Sequence, residues 1–156
     1  MVFMLTGAAF LIRLQSPEPQ YIWCAWERAA AEIKINEANT VEPVKIYVFE
    51  DLVAYHFWFA LRDSDKFEVN VVKGIDGLNE DTAYFLPRGF GEVKVTDLSG
   101  IHGERFWVAF RAGKWDLFSP PLSDISLAGY RFEQPLVFDV DSQSVFAAET
   151  TKGNKY

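Results

Sequence analysis

Cysteine occurs once in this chain, at position 24, histidine twice, and methionine twice. A lone cysteine excludes an internal disulfide and a thiolate metal site. It leaves the compartment open, because a reduced cytosolic protein and a disulfide-free periplasmic one look alike. Basic residues are also scarce: 15 Lys and Arg stand against 22 Asp and Glu, for a formal net charge of −7 and a pI near 4.8. That balance disfavours a nucleic-acid partner, which needs a basic face, and a polybasic role at a membrane surface. There is no repeat and no low-complexity segment. The G-x-G-x-x-G, Walker and G-x-S-x-G spacings are missing; Arg88-Gly89-Phe90-Gly91 matches none of them. Neither histidine belongs to a recognisable metal set, and Cys24 has no evident histidine partner.

What is present is apolar and aromatic. The 156 residues are 49% hydrophobic and 16% aromatic, which suits one domain with a bulky core. The run Val2–Ile12 (VFMLTGAAFLI) ends at Arg13 and a Pro17-Glu18-Pro19 break. It is shorter than the roughly 20 residues a spanning helix needs. It has neither the basic start nor the small-residue cleavage site of a secretory signal. Three readings stay open: the last turns of a transmembrane helix, an apolar element of the domain core, or a degraded secretory signal. The organisation expected is therefore 1–16 as membrane remnant or core element, 17–150 as the domain, and 151–156 as a frayed tail.

Periodicity predicts a helix over Tyr21–Ile35, with Ile22, Trp26, Ala29, Ala30 and Ile33 on one face. A polar loop, Asn36–Glu42, leads to a buried strand at Val44–Phe49. Asp51 stands at the expected N-cap of an apolar helix, Leu52–Leu61. Phe67–Lys73 alternates as a half-exposed strand, completing a parallel βαβ unit. Further strands are expected at Ala83–Leu86, Glu92–Thr96 and Arg105–Arg111. A short helix is expected at Leu122–Ala128, with Gly129 as a left-handed cap. Tyr130–Val140 and Gln143–Thr150 should pair antiparallel, with Pro135 at an edge or bulge. The sum is a single three-layer-like α/β domain: a mixed sheet with a parallel βαβ core and a C-terminal antiparallel strand pair.

Glu50 and Asp51 follow the best strand, at the edge where open α/β sheets bind ligands. Two adjacent acids there suit cation binding or acid–base work. Asp51 is equally explained as a helix cap, and Glu50 as a solvated charge. Arg88, Arg105 and Arg111 suit an anionic group, or simply solvation at strand ends. His102 sits in a glycine-flanked loop, and His56 in an apolar helix where a core role is the plainer reading. Asp139-Val140-Asp141 matches a D-x-D metal motif, but it falls at a hairpin turn, where Asp is favoured anyway. Phe57, Trp58, Phe59, Phe106 and Trp107 read as core; Trp115 and Phe118, if exposed, would form a lipid-facing or partner-facing patch. The candidate ligand residues are thus Glu50, Asp51, Arg88 and His102, with no catalytic residue, metal ligand or cofactor assigned.

The order of the elements resembles the C-terminal soluble region of bacterial GT-C type membrane glycosyltransferases, of the dolichyl-phosphate-mannose protein mannosyltransferase-like and aminoarabinose-transferase-like families. The matching features are a W-x-x-A-A-x-x-I helix (Trp26, Ala29, Ala30, Ile33), the strand Lys45–Phe49 leading into Leu52–Leu61, Phe106-Trp107, and Ala128-Gly129-Tyr130 before two closing strands. The resemblance implies an extracytoplasmic, periplasmic domain attached to a membrane bundle. The parent enzyme would transfer sugar from a lipid-phosphate-sugar donor. The family's catalytic acid lies between early membrane helices, a region this sequence does not contain. The chain alone is then expected to be non-catalytic, with the membrane portion and a lipid-linked sugar or acceptor as partners. The alternative is a free-standing α/β small-molecule-binding protein or small enzyme with a strand-end site near Glu50 and Asp51.

Overall fold

The computed structural model describes residues 22–74, 93–140 and 143–153. The apolar run at 2–12, the strand expected at 83–86 and Arg88 lie outside the described residues.

Helix α1 (Ile22–Asn36) turns Trp26, Ala29, Ala30 and Ile33 into the core, the stripe its spacing predicts. Strand β1 (Val44–Val48) follows, then helix α2 (Asp51–Leu61) and strand β2 (Phe67–Val72). β1 and β2 pair in parallel, Val44 opposite Phe67 and Val48 opposite Val71, so the expected βαβ core is present. β2 differs from expectation in one respect. It lies between β1 and β3 (Lys94–Thr96), and both its faces are covered, so Asn70 and Val72 on the second face are buried and only its first residues are half-exposed.

A 3₁₀ turn (Leu98–Gly100) and a loop connect β3 to β4 (Arg105–Ala112), which pairs in parallel with the other side of β1. Helix α3 (Leu122–Leu127) ends where Gly129 takes φ +93°, the left-handed conformation that closes a helix cheaply only with glycine. Strands β5 (Tyr130–Phe132) and β6 (Leu136–Val140) both pair antiparallel with β7 (Gln143–Lys152). Their registers differ by one residue, Phe132 opposite Thr150 but Leu136 opposite Ala147. The strand expected over 130–140 is therefore broken by a bulge at Pro135, which has no N–H to give a ladder. β7 continues to Lys152, so 151–152 belong to the sheet, and Gly153 N–H donates to Gly129 O at 2.8 Å; the rest of the expected tail, 154–156, lies outside the described residues.

The sheet runs β3-β2-β1-β4-β7-β5, with β6 also against β7. One face carries Ile46, Val48, Val69, Val71, Trp107, Ala109, Val145 and Ala147 against α1 and α2. Burying side chains of this size contributes on the order of 1.5–3 kcal/mol each. The other face is aromatic: Tyr47, Phe106, Phe110, Tyr130 and Phe146, covered by the 97–104 connection, α3 and Trp115. That thin cover is the third layer. Trp115 packs on Phe110, Phe132 and Phe146 at centroid distances of 5.6–5.7 Å, so it is core margin rather than surface patch.

Candidate functional site

α2 joins β1 to β2 over the helical face, whereas 97–104 joins β3 to β4 over the aromatic face. At the boundary between β1 and β4 the chain leaves the carboxyl ends of the two strands in opposite directions, from β1 into α2 over the helical face and from β4 into Trp115 and α3 over the aromatic face. In an open α/β sheet that boundary, at the carboxyl ends of the strands, is where a ligand crevice forms. Here Glu50 and Arg111 occupy it. Arg111 Nε donates to Glu50 Oε1 at 2.9 Å, and its terminal nitrogen lies 2.6 Å from Oε2. Glu50 is only 5% exposed, not solvated. It takes the N-cap position of α2 with extended backbone (φ −139°, ψ 140°), although its carboxylate makes no capping bond. Asp51 is therefore the first helical residue rather than the cap. Its carboxylate favours the positive end of the helix and accepts from Lys73 Nζ at 2.7 Å. The two candidate acids are thus brought to one edge, each matched by a cation.

His102 belongs to the loop leading into β4. Tyr47 Oη donates to His102 O and accepts from His102 N–H, each at 3.2 Å, while the ring Nδ1 lies 2.5 Å from Gly100 O. Tyr130 Oη reaches Ile101 O at 3.4 Å. Two tyrosines rising from the aromatic face therefore pin this loop, and burial pushes the Tyr47 phenol above its ordinary pKa. His56 is half-buried against Tyr55, and that burial holds its pKa below 6.5. Asp139 accepts from Ser144 Oγ across the β6–β7 hairpin at 2.6 Å; Asp141 lies outside the described residues. Among the described residues no group of three metal-ligating side chains converges, and no helix is long and apolar enough to cross a membrane.

A polar centre that sequence reasoning missed lies at the opposite end of β4. Glu37, expected in a polar loop, is fully buried. Its Oε1 accepts from an Arg105 terminal nitrogen at 2.5 Å and from Trp107 Nε1 at 2.6 Å. Its Oε2 accepts from the other Arg105 terminal nitrogen at 2.9 Å and from Thr40 Oγ1 at 2.6 Å. Arg105 Nε also pairs with Glu149, and Lys66 Nζ donates to Glu37 O. Burial alone would raise the Glu37 carboxyl; the bonds from Arg105, Thr40 and Trp107 outweigh it and hold it below its ordinary value. Arg105 is raised in turn, first by Glu149 and then by Glu37. The available signal was Arg105-x-Trp107, two donors on one face of a strand. The arrangement locks the end of α1 onto the sheet. No known protein-family profile matches the chain, and no curated protein matches it.

Proposed function

We propose that the chain is a non-catalytic extracytoplasmic C-terminal domain of a polytopic glycosyltransferase that uses a lipid-phosphate-sugar donor. In this reading it packs on the membrane bundle and shapes access of the acceptor. The observation that carries the reading is the apolar exterior of the connection between β4 and β5. On this acidic chain, Phe118 is 94% exposed, Leu127 86% and Leu117 47%. Large exposed apolar groups that form one patch mark protein or membrane contacts, and Leu117 and Phe118 are adjacent in the chain. The pairing of Glu50 with Arg111 and of Asp51 with Lys73 supports it, because each candidate acid already has a cationic partner. The order of the motif-bearing elements, α1, β1, α2, β4, α3 and the β6–β7 pair, is in keeping with it.

The direct test is deletion of residues 2–12. On this reading the shortened chain keeps its unfolding midpoint and stops binding detergent. A loss of several kcal/mol, about that of two or three buried large apolar side chains, would make the run a core element and overturn the reading. Sugar transfer by the purified chain, given a lipid-phosphate-sugar donor, would overturn its non-catalytic part.

A further inference from the structure

A cavity of about 540 Å³ opens where the C-terminal end of α2 meets the starts of β2 and β3, away from the β1–β4 boundary. Its volume lies within the roughly 300–1,000 Å³ of small-ligand sites. Trp58 and Phe67 supply half-buried aromatic surface, and Arg62, Asp65, Glu68 and Lys94 supply the polar lining. Trp58, Leu61 and Arg62 share one face of α2 because they stand three and four residues apart.

Arg62, Glu68 and Lys94 are held in place by contacts within the protein. The Arg62 guanidinium stacks on Phe59, 3.5 Å from the ring centroid, and donates to Phe59 O at 3.0 Å. Lys94 Nζ lies 2.8 Å from Glu68 Oε1. That bond holds the Glu68 carboxyl below its ordinary pKa. A second hollow of about 310 Å³ adjoins the first through Arg62 and is lined by Phe59, which is 47% exposed rather than part of the core.

Two features decide the ligand class. The charges of the larger cavity balance, Arg62 and Lys94 against Asp65 and Glu68, so a strongly anionic or cationic ligand gains no net attraction. The lining offers donors and carboxylate acceptors beside an aromatic ring, the combination that suits a molecule with hydroxyls at its edge and C–H groups on its face. We propose that this cavity is a binding site for a neutral saccharide, one ring resting on Trp58 and the chain continuing over Arg62 towards Phe59. The assignment rests on the lining alone and does not require the membrane reading.

The full chain should be titrated with cellobiose, maltotriose, mannobiose and chitobiose, with tryptophan fluorescence and ligand-observed NMR as readouts. At least one should bind. Trp58→Ala should weaken it about tenfold, a factor within reach of a lost aromatic contact. Because Trp58 is half-buried, Asp65→Asn provides the check on an exposed residue: weaker binding with an unchanged thermal midpoint. Binding of none of the four sugars, or binding that neither variant weakens, would overturn the site. Tighter binding of a uronic-acid or phosphorylated sugar through Arg62 would overturn the neutral class. Vesicle or detergent binding is read separately, so failure here is distinct from failure of the membrane-domain proposal.

Discussion

Arg105 and Arg111 point to the same face of β4, and each closes on a glutamate held by the helical layer at opposite ends of the strand. Arg105 takes Glu37, just past α1; Arg111 takes Glu50, just before α2. β4 is thereby fixed at both ends to the segments that carry the helices. The pair at Glu37 is the more deeply enclosed, its carboxylate being fully buried while Glu50 keeps slight exposure.

Arg105→Leu should destabilise the fold by about 3 kcal/mol, because it leaves the Glu37 carboxylate buried without its cation. The figure sits at the low end for a broken buried pair because Arg105 itself is 39% exposed. Glu37→Gln combined with Arg105→Leu should cost less than the two single changes added together. Urea unfolding of the four proteins in a double-mutant cycle measures the coupling; strict additivity would show that the pair does not act as a unit.

Acid should weaken the protein through the same carboxylate. The folded pKa of Glu37 lies below its ordinary 4.5. Its contribution is therefore complete above about pH 4.5 and disappears as pH falls through the lower folded value. His56 is also depressed, from 6.5, so its contribution is present above about pH 6.5 and is lost as pH falls through its lowered value. Urea midpoints across pH should show Glu37→Gln flattening the lower part of the curve. His56→Gln should flatten the upper part.

Tyr47→Phe keeps the ring that meets Phe106 edge-on at 5.0 Å but removes the hydroxyl that serves both backbone groups of His102. The expected cost is about 1–2 kcal/mol. Faster amide exchange at His102, with unchanged exchange in β7, would locate the loss in the loop; a uniform change would assign it to the whole fold.

Gly129→Ala should cost on the order of 1 kcal/mol, since φ +93° is strained for any side chain although no atom lies within 4 Å of the added carbon. Thermal unfolding measures it. An unchanged midpoint would mean that the turn relaxes freely, which the bond from Gly153 N–H to Gly129 O argues against.

The legible parts of the sequence are those whose signal is local. β1, α2 and β4 are apolar runs, and α1 announces itself through Trp26, Ala29, Ala30 and Ile33. Gly129 marks its turn by identity. Glu37 was hidden because its partners Arg105, Trp107 and Glu149 come from distant strands, and a polar residue after a helix looks solvated until the sheet closes over it. Glu50 was placed at the right edge with the wrong surroundings: its position followed from the strand, but Arg111 lies on another strand. Asn70 reads as exposed by alternation because the 97–104 connection that helps cover its face is distant in the sequence.

β7 is the latest strand along the described chain, yet it lies inside the sheet, with β4 on one side and β5 and β6 on the other. A polypeptide emerging from the ribosome amino end first therefore presents the long edge of β4, Arg105–Ala112, with its pairing groups open until residues 143–152 arrive. An unpaired edge of that length is a template for joining another chain. Premature termination before β7 would thus leave an association-prone intermediate rather than a smaller working domain, and a chaperone protecting this protein during synthesis would have to shield β4.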